Sequence, residues 1–71
     1  MSQQQKIMNH LQRFGTITAM EAMNYYGIMR LGARIWDLKH AGNTIMTERE
    51  QAPNRYGELT TYARYRLVKN A

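Results

Sequence analysis

The apolar residues near the start of the chain recur at the spacing of an α-helix. Four of them lie at offsets of zero, one, four and seven, with polar residues between: Ile7, Met8, Leu11 and Phe14. Ser2 is a residue type that favours the helix N-cap, and Gly15 one that favours the helix stop. The pattern predicts an amphipathic first helix from Ser2 to Phe14.

A second, shorter helix is predicted next. Thr18 and Glu21 have the spacing of a capping box, in which the two side chains satisfy backbone N–H groups at the helix start. Gly27 ends this helix after about two turns. Its narrow apolar face consists of Met20, Met23 and Tyr26. The preceding pair, Thr16-Ile17, is long enough for only a short stub of strand.

The third helix is predicted to run from Met29 to Ala41, after a very short turn, with Gly42 closing it. Its inner side carries Leu31, Ile35 and Leu38. We expect these three to be buried against Ile7, Leu11 and Met20. The outer side and its flank carry Met29, Arg30, Ala33, Arg34, Asp37 and His40. This helix therefore offers one face to a core and a polar face to solvent or to a partner.

After Gly42 the period changes from 3.6 to 2. Residues 43–50 and 59–68 alternate and are rich in β-branched and aromatic types, while Pro53, Asn54 and Gly57 lie between them. The pattern predicts a β-hairpin with a loop of roughly eight residues. Three helices followed by a hairpin are the order of a winged helix-turn-helix, an α+β fold, here in a single domain over residues 1–71.

The net charge of the chain indicates the kind of partner that it would bind. Lysine and arginine number 10 against 5 acidic residues, which gives a net charge of +5 on 71 residues and favours a polyanion, nucleic acid before a membrane surface. There is no cysteine, in keeping with a reducing compartment. No signal peptide and no apolar run of membrane-spanning length is recognisable, so we expect a cytoplasmic protein.

Sequence motifs point the same way. The stretch "GTITAMEAMNYYGIMRLGARIWDLKHAGNTIMTE", with "ARYRL" further on, resembles the small winged helix-turn-helix domains common in phage and prophage genomes. The resemblance runs from Ile7 to Leu67. It implies a DNA-binding fold with the third helix as recognition helix, and a small regulator or architectural factor of phage or mobile-element origin. The hairpin would be the wing that reaches an adjacent groove.

Candidate DNA contacts follow from these elements. The set is Met29, Arg30, Ala33, Arg34, Asp37, Arg55, Arg64 and Arg66. Arg30 and Arg34 can fork onto guanine or clamp phosphates, although Arg34 can instead pair with Asp37. Ala33 permits close approach to DNA. Arg55 is the wing-tip candidate for a minor groove, and the strand arginines can follow the backbone.

The sequence also allows interpretations other than DNA binding. Trp36 is expected to cover the base of the hairpin, or else to pack against a second protomer or a partner protein. A protein-binding module that targets a host protein is the main alternative to DNA binding, and a weak homodimer is compatible with either. Enzyme chemistry has little support, because the two histidines lie on different helices. Asp37 and His40 alone make a poor metal site, so no metal or cofactor is expected.

Overall fold

The computed structural model describes residues 1–69, two positions short of the predicted domain of residues 1–71. It confirms an α+β fold of three helices followed by a hairpin. The elements in chain order are α1 (Gln3–Phe14), β1 (Thr16–Thr18), α2 (Ala19–Tyr26), α3 (Leu31–His40), β2 (Ile45–Pro53) and β3 (Leu59–Leu67). The stub of strand predicted at Thr16-Ile17 is present as β1, so the sheet has three strands.

The first helix is capped as its sequence predicts. The Ser2 hydroxyl accepts from the Gln5 backbone N–H at 3.1 Å, and the Gln5 side chain accepts from the Ser2 N–H at 3.2 Å. Ile7 and Leu11 are completely buried. Phe14, expected on the same stripe, is 60% exposed, and that prediction is wrong. As the last residue of α1 it lies at the surface, where its ring contacts His10 with centroids 4.7 Å apart.

The second helix begins with the predicted capping box, because Thr18 and Glu21 exchange hydrogen bonds of 2.9 and 3.2 Å. Gly27 then ends it at φ +67°, a conformation that side chains rarely adopt. The expected contact of Met20 with the core is wrong, since Met20 is 69% exposed. The buried residue of α2 is instead Ala22, whose short side chain fits inside the core cluster.

The third helix is shorter at both ends than predicted. It begins at Leu31 with Arg30 in the N-cap position, and it ends at His40. Met29 therefore lies in the turn before the helix, and Ala41 follows the helix as its C-cap. The predicted inner side is confirmed, because Leu31, Ile35 and Leu38 are each no more than 3% exposed and share one core cluster with Ile7 and Leu11.

The sheet is antiparallel with strand order β1-β3-β2. Tyr65 on the central strand pairs with Ile17 of β1 and with Thr47 of β2. The hairpin loop is shorter than predicted, five residues rather than about eight, because β2 continues to Pro53 and β3 begins at Leu59. The Asn54 side chain orders this loop by accepting two backbone N–H groups, those of Tyr56 and Glu58, at 2.9 and 3.1 Å.

The expectation that Trp36 covers the base of the hairpin is wrong. Trp36 is 58% exposed on the solvent side of α3, one residue after the buried Ile35. None of the helices within residues 1–69 is long and apolar enough to cross a membrane.

Candidate nucleic-acid interface

The outer side of α3 is an exposed helical surface. Gly32, Trp36, Lys39 and His40 are exposed, whereas Ala33, Arg34 and Asp37 are only half-exposed. The exposed side is therefore displaced by one residue, about 100° around the helix axis, from the side carrying the predicted contacts. Gly32 and Ala33 lie at the start of this surface, and the rings of Trp36 and His40 lie at its end.

Arg34 and Asp37 lie on the flank of α3 that faces α1. Arg34 Nε donates to Asp37 Oδ2 at 2.9 Å, and Arg34 Nη1 donates to Gln3 Oε1 of α1 at 3.3 Å. The alternative of an Arg34–Asp37 pair is thus the arrangement that the structure contains. A contact of either residue with DNA would require this pair to open.

The start of α3 combines a positive helix end with a free cation. Arg30 occupies the N-cap but makes no side-chain capping bond, so no side chain satisfies the first N–H groups of the helix. Its guanidinium and the adjacent Met29 are exposed. The partial positive charge of a helix N-terminus adds to the charge of Arg30, and both favour an anion or a base acceptor here.

Arg64 and Arg66 on β3 are in a different position, because Glu50 and Glu48 on β2 form ion pairs with them. Arg64 donates to Glu50 and, at 3.1 Å, to the Thr16 hydroxyl, and it lies 3.7 Å from Glu21 of α2. Arg66 pairs with Glu48 at 2.8 Å. Hydrogen bonds to Glu50, first from Arg64 and then from a tyrosine hydroxyl, hold the pKa of that carboxyl below its ordinary value. These two arginines join β1, α2 and β2 to the central strand.

Charge is consequently distributed unevenly over the domain. Within residues 1–69, four of the five acids form ion pairs with arginines, and Glu58 is the exception. Seven cations in the same range form no ion pair: Lys6, Arg13, Arg30, Lys39, Arg49, Arg55 and Lys69. Two of them lie at the two ends of α3 and two on the hairpin. Part of the excess positive charge therefore lies at the two ends of α3 and on the hairpin.

A cleft of about 750 Å³ separates the helices from the hairpin. Its helical wall is formed by the N-terminal ends of α2 and α3, including Met20, Met29 and Arg30. Its opposite wall is formed by the two strands, including Pro53 and Tyr62. The lining is mainly apolar, and the cleft makes the surface beside α3 concave.

A comparison with known protein families decides the class of this fold. The family model described as winged helix-turn-helix domain matches residues 2–70, nearly the whole chain. The chain belongs to the winged helix-turn-helix family. Neither a curated protein nor a solved structure was found to match it.

Winged helix-turn-helix membership indicates DNA binding, with α3 as the recognition helix and the hairpin of residues 45–67 as the wing. Of the predicted contacts, Met29, Arg30 and Arg55 lie exposed beside the recognition helix or at the wing tip. Arg34, Asp37, Arg64 and Arg66 are engaged in ion pairs, and Ala33 is half-exposed.

Sequence reasoning left out Trp36 and Lys39 of this winged-helix surface, and it included Arg49 only among the strand arginines that can follow the DNA backbone. The available signal was the trio Leu31, Ile35 and Leu38, which fixes the inner side of the recognition helix. Lys39 follows Leu38 and Trp36 follows Ile35, and both are exposed, so they lie outside the buried trio. Arg49 pairs with Ala63, which lines the cleft, so both side chains leave the same face of the wing.

Proposed function

We propose that the protein binds double-stranded DNA by inserting α3 into the major groove, with the wing tip over the adjacent minor groove. The observation that carries this proposal is the placement of unpaired cations. Arg30 and Lys39 flank the exposed side of α3, while most acids of the domain are occupied by other arginines. An α-helix with its side chains is about 10–12 Å across, which suits a major groove about 12 Å wide.

The recognition helix would divide its contacts along its length. At its start, Arg30 would fork onto a guanine edge or hold a phosphate, aided by the uncapped N–H groups. Gly32 and Ala33 carry little or no side chain, which permits close approach of the helix to the groove. At its end, Lys39 would contact a phosphate as a point charge.

The wing would supply contacts that do not depend on sequence. Arg55 lies in the ordered loop at its tip, where a narrow minor groove attracts a guanidinium. Arg49 on β2 would contact the DNA backbone. Arg64 and Arg66 would keep the wing in its orientation by means of their carboxylate partners, and the DNA backbone between the two grooves would cross the cleft.

A transcriptional regulator or an architectural factor is the role that we propose for this binding, in the cytoplasm of a cell that carries a phage or mobile element. The resemblance to phage and prophage domains supports that origin. Residues 45–67 form the wing and all three helices contribute to the core, which leaves no separate dimerisation helix in the described part of the chain. A monomer, or a weak dimer that assembles on DNA, fits this arrangement.

Selection of bound sequences from random duplexes, repeated at several salt concentrations, tests the proposal. Four phosphate contacts, from Arg30, Lys39, Arg49 and Arg55, would give a slope of log affinity against log salt of about −3.6. An enriched motif would support a regulator, and salt-sensitive binding without a motif would support an architectural factor. Absence of binding even at low salt would overturn both.

The apolar cleft favours a second candidate function, a protein-binding module aimed at a host protein. Met20 and Met29 are 69% and 80% exposed on its helical wall, and flexible methionines suit adaptable contacts. A stable complex with one host protein, weakened by Met20→Ser and Met29→Ser together, would support it if the same preparation failed to shift DNA. Retention of DNA binding by this double variant would instead favour the first candidate.

A further inference from the structure

Two rings stand together on the outer side of α3. Trp36 is 58% exposed, and His40, one turn further, is exposed as well. Their ring centroids are 3.6 Å apart and their planes differ by 24°, which is a stacked arrangement. Each ring limits the movement of the other, so the pair presents one double-ring surface to solvent.

A hydrogen bond determines which nitrogen of His40 faces outward with a free lone pair. Nδ1 of His40 lies 3.0 Å from the backbone carbonyl oxygen of Trp36. A carbonyl oxygen can only accept, so Nδ1 carries the proton in this bond. In the neutral imidazole Nε2 is then an acceptor, while the indole of Trp36 offers an apolar face and edge and one N–H donor.

The neighbouring residues leave this pair free to reach a partner. Gly32 lies one turn before Trp36. Because glycine has no side chain, it leaves the indole uncovered on the N-terminal side. Arg34 and Asp37 are bound to each other on the flank toward α1, and the adjacent Lys39 is exposed without an ion pair in the described residues. The rings therefore make up most of the outer side in the second half of the recognition helix.

We propose that Trp36 and His40 together read an A·T base pair in the major groove, as a paired-ring element that determines specificity. This inference rests on the proposed DNA binding. Trp36 would pack against the 5-methyl group of thymine, the one apolar group of the major-groove edge. Nε2 of His40 would accept from the exocyclic N6 amino group of adenine. A guanine–cytosine pair lacks the methyl group and would not satisfy both rings.

Replacement of thymine by deoxyuridine is the sharpest test, because it removes only the methyl group. We expect wild-type affinity for the selected duplex to fall about fourfold when the thymine beneath Trp36 is replaced, the value of one buried methyl group. Trp36→Ala should bind the thymine and uracil duplexes equally. Trp36→Phe should keep part of the difference, and its melting temperature checks that the fold is intact. Lys39→Ala, on the same turn, should weaken both duplexes alike.

Fluorescence gives a second readout, since Trp36 is the only tryptophan of the chain. Its emission should change, and its quenching by acrylamide should decrease, as the protein is titrated with the selected duplex. Site-specific binding that leaves the emission unchanged and ignores every thymine-to-uracil replacement would overturn this proposal and leave the proposed function standing. Binding without any preferred sequence would overturn it as well. Absence of DNA binding would instead overturn the proposed function.

Discussion

Different interactions stabilise the helical part of the molecule and its hairpin. Eight of the nine buried apolar core residues lie between Ile7 and Leu38, and the hairpin contributes Ile45 at its first position. Beyond that residue neither β2 nor β3 has a fully buried side chain. The hairpin relies on its backbone ladder, on its pairing with β1, on ion pairs near its base, and on half-buried Tyr65 and Leu67, which pack against the core.

Because of this difference, loss of an arginine should have different effects in the two parts of the molecule. Arg30 at the start of α3 makes no ion pair within residues 1–69 and no side-chain capping bond, so we expect its loss to leave the fold intact, because hydrophobic burial stabilises the helix there. Arginines on β3 are part of what keeps the hairpin against the helices. Substitutions in the two parts should therefore separate stability from DNA binding.

The largest expected effect is on the helical core. Leu38→Ala should lower the free energy of unfolding by roughly 2–5 kcal/mol, because it leaves a cavity in the cluster shared with Ile35 and Leu11. Leu59→Ala in the hairpin is the matched control, since Leu59 is 69% exposed and should change stability little. Urea denaturation of both variants measures the difference, and equal losses would contradict the division between the two parts.

Arg30→Ala should change DNA affinity and leave stability alone. We expect a cost of about 1–3 kcal/mol on the preferred duplex and much less on random DNA, if the guanidinium forks onto a base. Arg30→Lys keeps the charge but not the fork, so it should retain random binding and lose preference. A melting temperature well below that of the wild type would mean that Arg30 also supports the helix start.

Sequence periodicity and capping residues were enough to predict the helical part. Leu31, Ile35 and Leu38 recur at helical spacing, and the capping residues Ser2 and Thr18 mark helix starts by local chemistry alone. Exposure of Met20 could not be foreseen, because an isolated wheel does not show that α2 turns Ala22 to the core. Which flank of α3 is covered depends on the position of α1, a long-range property.

The hairpin was predictable as an element but not in its register. A loop of eight residues would place Glu50 beside Leu59, whereas the observed loop of five places it beside Tyr62 and within reach of Arg64. Because register decides which charges meet, the sequence could not distinguish a free strand arginine from a paired one. The elements that carry the candidate site, α3 and the hairpin, were therefore predictable, whereas the ion pairs made by its arginines were not.

Arg64→Ala should affect the fold more than the DNA contact. Loss of this side chain removes the link from β3 to β2, β1 and α2 and leaves Glu50 and Glu21 without their arginine. We expect the melting temperature to fall by about 4–8 °C, as a loss of about 1 kcal/mol would produce in a domain of this size. Arg66→Ala, whose pair is more exposed, is the control and should have a smaller effect.

Arg55→Ala should weaken preferred and random DNA to the same small extent. The side chain is exposed at the wing tip, so its loss should leave the melting temperature unchanged. Loss of one phosphate contact should flatten the slope of log affinity against log salt by about 0.9. Titrations at three salt concentrations measure the slope, with Arg55→Lys as the control that keeps the charge. A selective loss on the preferred duplex would show that the wing reads sequence.

The smallest effect concerns His10, the one buried histidine of the helical part. Its Nδ1 lies 2.6 Å from the Tyr26 hydroxyl, and burial lowers its pKa below the ordinary value of 6.5, against the opposing attraction of Glu21. As pH falls below about 6.5, the unfolded chain therefore takes up this proton before the folded protein does, and stability declines. The melting temperature of the wild type should decrease between pH 7.5 and 5, a range in which the ordinary pKa values of the carboxyls contribute little. His10→Gln should show a flatter profile over the same range, because exposed His40 is common to both proteins. Parallel profiles for the two proteins would mean that the folded helical part accepts a proton on His10 at no cost.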